Sequence, residues 1–216
     1  MIGGLLLAGP AMAGGCSPVT GGGAALPPCC ATTDMSAGGQ CMAPARQYQI
    51  TLTGFGFEKA DGTDVRLGGP KAFDAASVSA GRAIGDYLSG VELPPATYVA
   101  LRPRLGETVA VRVNSKTLDG RRCQGSMSGV TRQANGQNWP ACAAGQPDAG
   151  TPVCRDNGQL RIRNSDSGAF TVGGPSTMTL TIQFDVNNGV ICTFPPGTGG
   201  NSAIAPGVLA LTVTKS

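Results

Sequence analysis

The run Met178-Thr179-Leu180-Thr181-Ile182-Gln183-Phe184-Asp185-Val186 decides the fold class. Apolar residues occupy every second position, and Thr, Gln and Asp fill the positions between. A period of two is the mark of a strand with one face buried and the other in water. Asn187-Asn188-Gly189 follows, a turn that brings Val190–Phe194 back onto that strand. The same alternation recurs upstream. Tyr48, Ile50 and Leu52 alternate with Gln49, Thr51 and Thr53. The phase then slips to Phe55 and Phe57, with Gly54 and Gly56 between them, which predicts a β-bulge. Val109, Val111 and Val113 repeat the pattern, as do Leu160 with Ile162, Phe170 with Val172, and Leu209, Leu211 and Val213. Ala60-Asp61-Gly62-Thr63 and Ser165-Asp166-Ser167-Gly168 separate such runs. About eight strands of this kind predict an all-β, antiparallel β-sandwich. One stretch dissents: Asp74–Leu88 is rich in Ala and Ser and reads as one or two short helical turns with Asp74 as N-cap.

Cysteine usage gives the compartment. The chain holds 8 cysteines and 0 histidines among 216 residues, with 34 Gly and only 13% charged residues. An even set of thiols without C-x-x-C or Cys/His pairs predicts disulfides in an oxidising compartment, secreted or at the cell surface. The framework consists of Cys16, Cys29, Cys30, Cys41, Cys123, Cys142, Cys154 and Cys192. The first four cluster in sequence and are expected to pair mainly among themselves. Cys142 with Cys154 would close a Gly/Pro-rich loop, and Cys123 with Cys192 would join a loop to a strand. One arm cysteine on the domain is the other arrangement.

The N-terminal third divides further. Residues 1–33 carry no charge. Residues 1–15 are an apolar segment, I-G-G-L-L-L-A-G-P-A-M-A over 2–13. It reads as a signal-peptide remnant with Ala11-Met12-Ala13 as cleavage site, although no Lys or Arg precedes the apolar run. It is too short to span a membrane. Met12–Cys16 also loosely matches a lipobox, which would make Cys16 a lipid anchor. If the segment is retained it must be buried, and an all-β protein offers a neighbour's sheet, entered as an added strand through Ile2, Leu5, Leu6 and Leu7. Residues 16–46 form an aperiodic Cys/Gly/Pro-rich arm, and residues 47–216 the β-sandwich domain.

Lys71–Leu105 carries a resemblance. Lys71, Phe73, Asp74, Gly81, Leu93, Pro94 and Tyr98 are similar to the K-x-F-D … L-P-x-G-x-Y pattern of secreted bacterial β-sandwich proteins of unknown function, with Ala96 where that pattern has Gly. The resemblance spans about 35 residues. It implies a cell-surface protein with an immunoglobulin-like or prealbumin-like sandwich, and no catalytic residue. Physically, Leu93-Pro94-Pro95 suits entry to an edge strand, and Tyr98 suits a tyrosine corner.

Composition narrows the chemistry. Without histidine, Ser-His-Asp and Cys-His sites are impossible within this chain. No phosphate loop or dinucleotide fingerprint is present. Asp61-Gly62-Thr63-Asp64 and Asp156-Asn157-Gly158 have calcium-type oxygens, and turn chemistry accounts for the same residues. Trp139, the lone tryptophan, is a candidate ligand contact or a loop anchor beside Cys142. Seven Lys/Arg between Arg102 and Arg132 read as solvated strand faces and loops, since no aromatic residue is interleaved; the alternative is a surface for nucleic acid or an anionic polymer. The sequence therefore points away from an enzyme and implies no cofactor, metal or nucleic acid. It points to an extracellular structural subunit, a homopolymer joined by strand addition. The alternative is a monomeric or lipid-anchored binding or adhesion module, touching the membrane only through an export signal or Cys16.

Overall fold

The computed structural model describes residues 2–9, 28–76, 82–88, 92–133, 137–143, 152–165, 168–173, 178–197, 202–207 and 210–215. Among them the chain is built of strands, with a short 3-10 turn at Cys30–Thr32 and no α-helix. Three sheets result.

The largest sheet is organised by β3 (Gln47–Lys59), its longest strand. One edge of β3 carries β5 (Lys71–Asp74) and then β4 (Asp64–Leu67). The other edge carries β8 (Thr108–Lys116) and then β7 (Ala96–Gly106). The register with β7 shifts between Leu52 and Gly54, at the glycines where the sequence phase slips. Beyond the slip, Phe55 and Phe57 face inward with Tyr48, Ile50 and Leu52, all at most 1% exposed. β9 (Arg122–Val130) pairs with β8. β11 (Gln159–Ile162) and β12 (Phe170–Val172) pair with β7, and β10 (Val153–Asp156) with β11. Val109, Val111, Val113, Leu160 and Ile162 are buried, as their alternation requires. Asn157, with φ 47°, and Gly158, with φ 75°, form the two-residue turn between β10 and β11. Positive φ at both central positions is what such a turn demands, and Asn-Gly meets it at least cost.

The second sheet has three antiparallel strands: β2 (Gly39–Ala43), β14 (Val190–Phe194) and β15 (Ala203–Pro206). Residues 39–43, aperiodic in sequence, are thus a strand, and Cys29, Cys30, Met35, Cys41, Met42 and Ala43 are all buried. The third sheet runs in the order β16 (Ala210–Lys215), β13 (Met178–Asp185), β1 (Ile2–Gly9), β6 (Arg82–Asp86).

Two expectations are corrected. Asp74–Leu88 contains no helical turn among its described residues; Asp74 ends β5, Arg82–Asp86 forms β6, and residues 77–81 lie outside the described residues. The Asp74 carboxylate does cap, but it accepts from the backbone N–H groups of Tyr48 (2.9 Å) and Ala76 (3.1 Å), which fixes a turn beside β3. Asn187-Asn188-Gly189 is a corner between sheets rather than a hairpin. β13 pairs with β16 and β1, while the edges of β14 are taken by β2 and β15.

Disulfides link these parts. Cys30–Cys41 closes the N-terminal region on itself, and Cys142–Cys154 closes the loop before β10. Cys123–Cys192 ties β9 of the large sheet to β14 of the small one. Cys29 is also disulfide-bonded, and no described cysteine is free. Sequence spacing pointed to the 142–154 and 123–192 pairs.

Candidate functional site

The apolar segment at the N-terminus is a strand with neighbours on both sides. β1 runs parallel to β13, with Ile2 opposite Met178, Leu5 opposite Leu180, Leu6 opposite Thr181 and Leu7 opposite Ile182. It runs antiparallel to β6, with Leu6 opposite Asp86 and Leu7 opposite Gly85. The partners are strands of its own chain. An interior strand offers its backbone N–H and C=O groups ladder partners on both edges. Its nearest partner in sequence, β6, begins at Arg82, so the strand is held by long-range pairing alone.

The ligand-type residues singled out in sequence have structural partners. Trp139 is half-buried; its Nε1–H donates to Thr131 Oγ1 at 3.2 Å, and the ring packs against the core. The Tyr98 hydroxyl donates to the Pro94 carbonyl at 2.8 Å, the tie its place after Leu93-Pro94-Pro95 predicts. Its ring stacks on Phe170 at 5.3 Å and meets Phe57 edge-on. Asp61 accepts from the Thr63 hydroxyl and N–H, and these bonds hold its carboxyl below the ordinary range. Asp156 pairs with Arg161, and Asp64 with Arg102 at 3.4 Å. Among the described residues no group of three or more Cys, Asp or Glu is placed to hold a metal ion.

The seven basic residues between Arg102 and Arg132 do not form one surface. Arg121 donates to the carbonyls of Met35 and Pro195 and lies over the Phe194 ring at 4.9 Å, so it clamps the N-terminal region to the small sheet. Arg112 stands exposed on β8. Arg102 belongs to a charged cluster that sequence reading missed.

That cluster centres on Glu58, 9% exposed, on the outward face of β3. Its Oε2 accepts from Arg102 Nε (3.0 Å) and Nη2 (2.8 Å), and from Arg163 Nε (2.8 Å). Its Oε1 accepts from Arg163 Nη2 at 3.3 Å. Burial pushes the Glu58 carboxyl up, and the hydrogen bonds and charges of Arg163 and Arg102 outweigh that push and hold it below the ordinary value. The two arginines thus favour the ionised carboxylate, and Glu58 in turn fixes the arginines in place. No protein family model, characterised protein or solved structure matches this chain.

Proposed function

We propose that this protein is an extracellular structural subunit that joins to copies of itself by strand addition. In the assembly, Ile2–Gly9 of one copy would occupy the place between Met178–Asp185 and Arg82–Asp86 of the next. The observation that carries this reading is the interior position of β1 in the four-stranded sheet. A strand that fills a slot in its own chain, tethered by the Gly-rich residues 10–27, can fill the same slot in a neighbour with the same ladder bonds. The exchange costs little because it trades identical contacts, and its direction is head-to-tail, which extends rather than closes.

The rest of the reading is architectural. The nine-stranded and three-stranded sheets serve as the two layers of an immunoglobulin-like or prealbumin-like sandwich, with residues 16–46 as its stapled arm. Support comes from the Cys123–Cys192 bond and from the packing of β15 on β9. A Cβ at Gly125 would lie 3.2 Å from Ile204, and one at Gly129 would lie 3.0 Å from Pro206. Disulfides of this number fit an oxidising compartment. The role is mechanical, without catalysis or cofactor.

The test is the mass and N-terminal sequence of the mature protein, with its particle size by light scattering and electron microscopy. Polymers retaining Ile2–Gly9 and lost in a Leu6→Lys variant are expected. A mature chain beginning after Ala13 and strictly monomeric would refute strand addition.

A further inference from the structure

Three strands of the large sheet, β4, β7 and β11, bring arginines to one face, with β3 between the first two. On the outward side of the large sheet, Gly56 of β3 lies between Arg66 of β4 and Arg102 of β7. One pair further along, Gly54 lies opposite Arg104 of β7, and Arg104 lies opposite Arg161 of β11. Directly opposed residues of a ladder project to the same side, so these guanidiniums share a face. With Arg163 there are five, against the carboxylates of Glu58, Asp64 and Asp156.

The compensation is uneven. Glu58 is consumed by Arg102 and Arg163, Asp64 sits against Arg102, and Asp156 against Arg161. Among the described residues, Arg66 and Arg104 have neither ion pair nor hydrogen bond. Partial burial lowers the Arg104 guanidinium from its usual value, and the charges of Arg66, Arg161 and Arg102 lower it further. Like charges placed directly opposite destabilise a sheet; the charge of Asp64 opposes the effect on Arg104 without cancelling it.

The two glycines shape the space. A Cβ at Gly54 would meet Arg104 Cδ at 3.9 Å, and one at Gly56 would meet Arg102 Cβ at 3.2 Å. With no side chains at these positions, the Arg102 and Arg104 stems lie across the β3 backbone and bury both glycines. The result is a shallow, guanidinium-lined trough above the glycines. From β4 to β11 it crosses three strand spacings, about 14 Å. That exceeds a single oxyanion and matches two anionic groups on one extended chain.

We propose that this trough binds an acidic polysaccharide, with Arg66 and Arg104, flanked by Arg161, forking the carboxylate or sulfate groups of successive sugars. Guanidinium forks match such oxyanions bidentately. A nucleic acid would want exposed rings for its bases, and the only large apolar side chains exposed among the described residues are Leu118 and Val130. The site is independent of strand addition and would operate in a monomer.

The experiment is calorimetric titration of the full-length protein with a heparin-derived hexasaccharide, with inorganic sulfate and a single-stranded oligo-dT as comparison probes. Arg104→Gln should weaken hexasaccharide binding about tenfold or more, the worth of one charge-assisted fork. Arg104→Lys keeps the charge without the fork and should restore little. Gly54→Val keeps every charge, displaces the Arg104 stem that lies over this position, and should weaken binding comparably, with thermal unfolding checking that it folds. Arg112→Gln removes the same charge elsewhere on the large sheet and should stay within about twofold. The proposal falls if the hexasaccharide binds no better than sulfate, or if oligo-dT binds as tightly. It falls equally if Arg112→Gln costs as much as Arg104→Gln, or if a folded Gly54→Val binds normally.

Discussion

Removing the Cys123–Cys192 bond, as the double variant Cys123→Ala/Cys192→Ala, tests what holds the sheets together. The bond spans 69 residues and joins two strands that share no ladder, β9 and β14. In the chain-entropy account, opening a loop of that length releases about 4 kcal/mol of unfolded-state freedom. Cys142–Cys154 lies inside it and shortens its contour by about a dozen residues, which changes the figure by only a few tenths of a kcal/mol. The same account gives about 3 kcal/mol for Cys142–Cys154 itself, whose loop spans 12 residues. Cys123 and Cys192 are both 0% exposed, so truncation to Ala also leaves unfilled space between sheets and adds to the larger loss. For a chain of this length each kcal/mol moves Tm by about 2–4 °C. The inter-sheet variant should therefore melt about 8–16 °C below the parent, and the loop variant Cys142→Ala/Cys154→Ala about 6–12 °C below it. Calorimetry and urea titration without reductant measure both. If the loop variant lost as much stability as the inter-sheet variant, or more, the reasoning from loop length and inter-sheet packing would be wrong.

Two further outcomes follow from the charged cluster and the corner. Glu58→Gln leaves Arg102 and Arg163 around a neutral acceptor and should cost about 3 kcal/mol by urea unfolding. Because the folded carboxyl titrates below its unfolded value, the parent should lose this stabilisation as pH falls from about the ordinary value of 4.5 through the depressed one, whereas Glu58→Gln should lack that acid step. Tyr98→Phe removes the hydroxyl bonded to Pro94 while keeping the stack on Phe170, and should cost about 1 kcal/mol; no measurable loss would show that the tie is decorative.

Much of the fold was legible because inward positions announce themselves. Val109, Val111 and Val113 cannot sit in water together, and all three are at most 2% exposed. The slip from Leu52 to Phe55 forces a bulge, and the register shift falls there. Asp74–Leu88 misled for a definite reason. Ala and Ser behind an Asp is a good local helix start, but propensity is worth tenths of a kcal/mol per residue. The Asp74 carboxylate is taken by the Tyr48 and Ala76 N–H groups, and Arg82–Asp86 pairs with β1 instead. Asn187-Asn188-Gly189 misled differently. A turn signal says that the chain reverses, not onto which sheet. β14 pairs instead with Gly39–Ala43, remote in sequence, and with Ala203–Pro206.

The outward face was illegible for the opposite reason. Each strand, taken alone, places its arginines correctly in the polar phase: Arg102 and Arg104 on β7, Arg161 on β11, Arg66 on β4. What they do depends on which strands abut and in what register, and neither is local. Glu58 meets Arg102 across 44 residues and Arg163 across 105. Gly54 and Gly56 read in sequence as a backbone irregularity, and they are one. The same absence of side chains that permits the bulge also lets the stems of Arg102 and Arg104 lie against the β3 backbone. Inward positions in such a protein are saturated with apolar contact, so they have no chemistry left to offer. Whatever this chain recognises must be read from the outward phase, and there register, not composition, decides whether scattered charges become a surface.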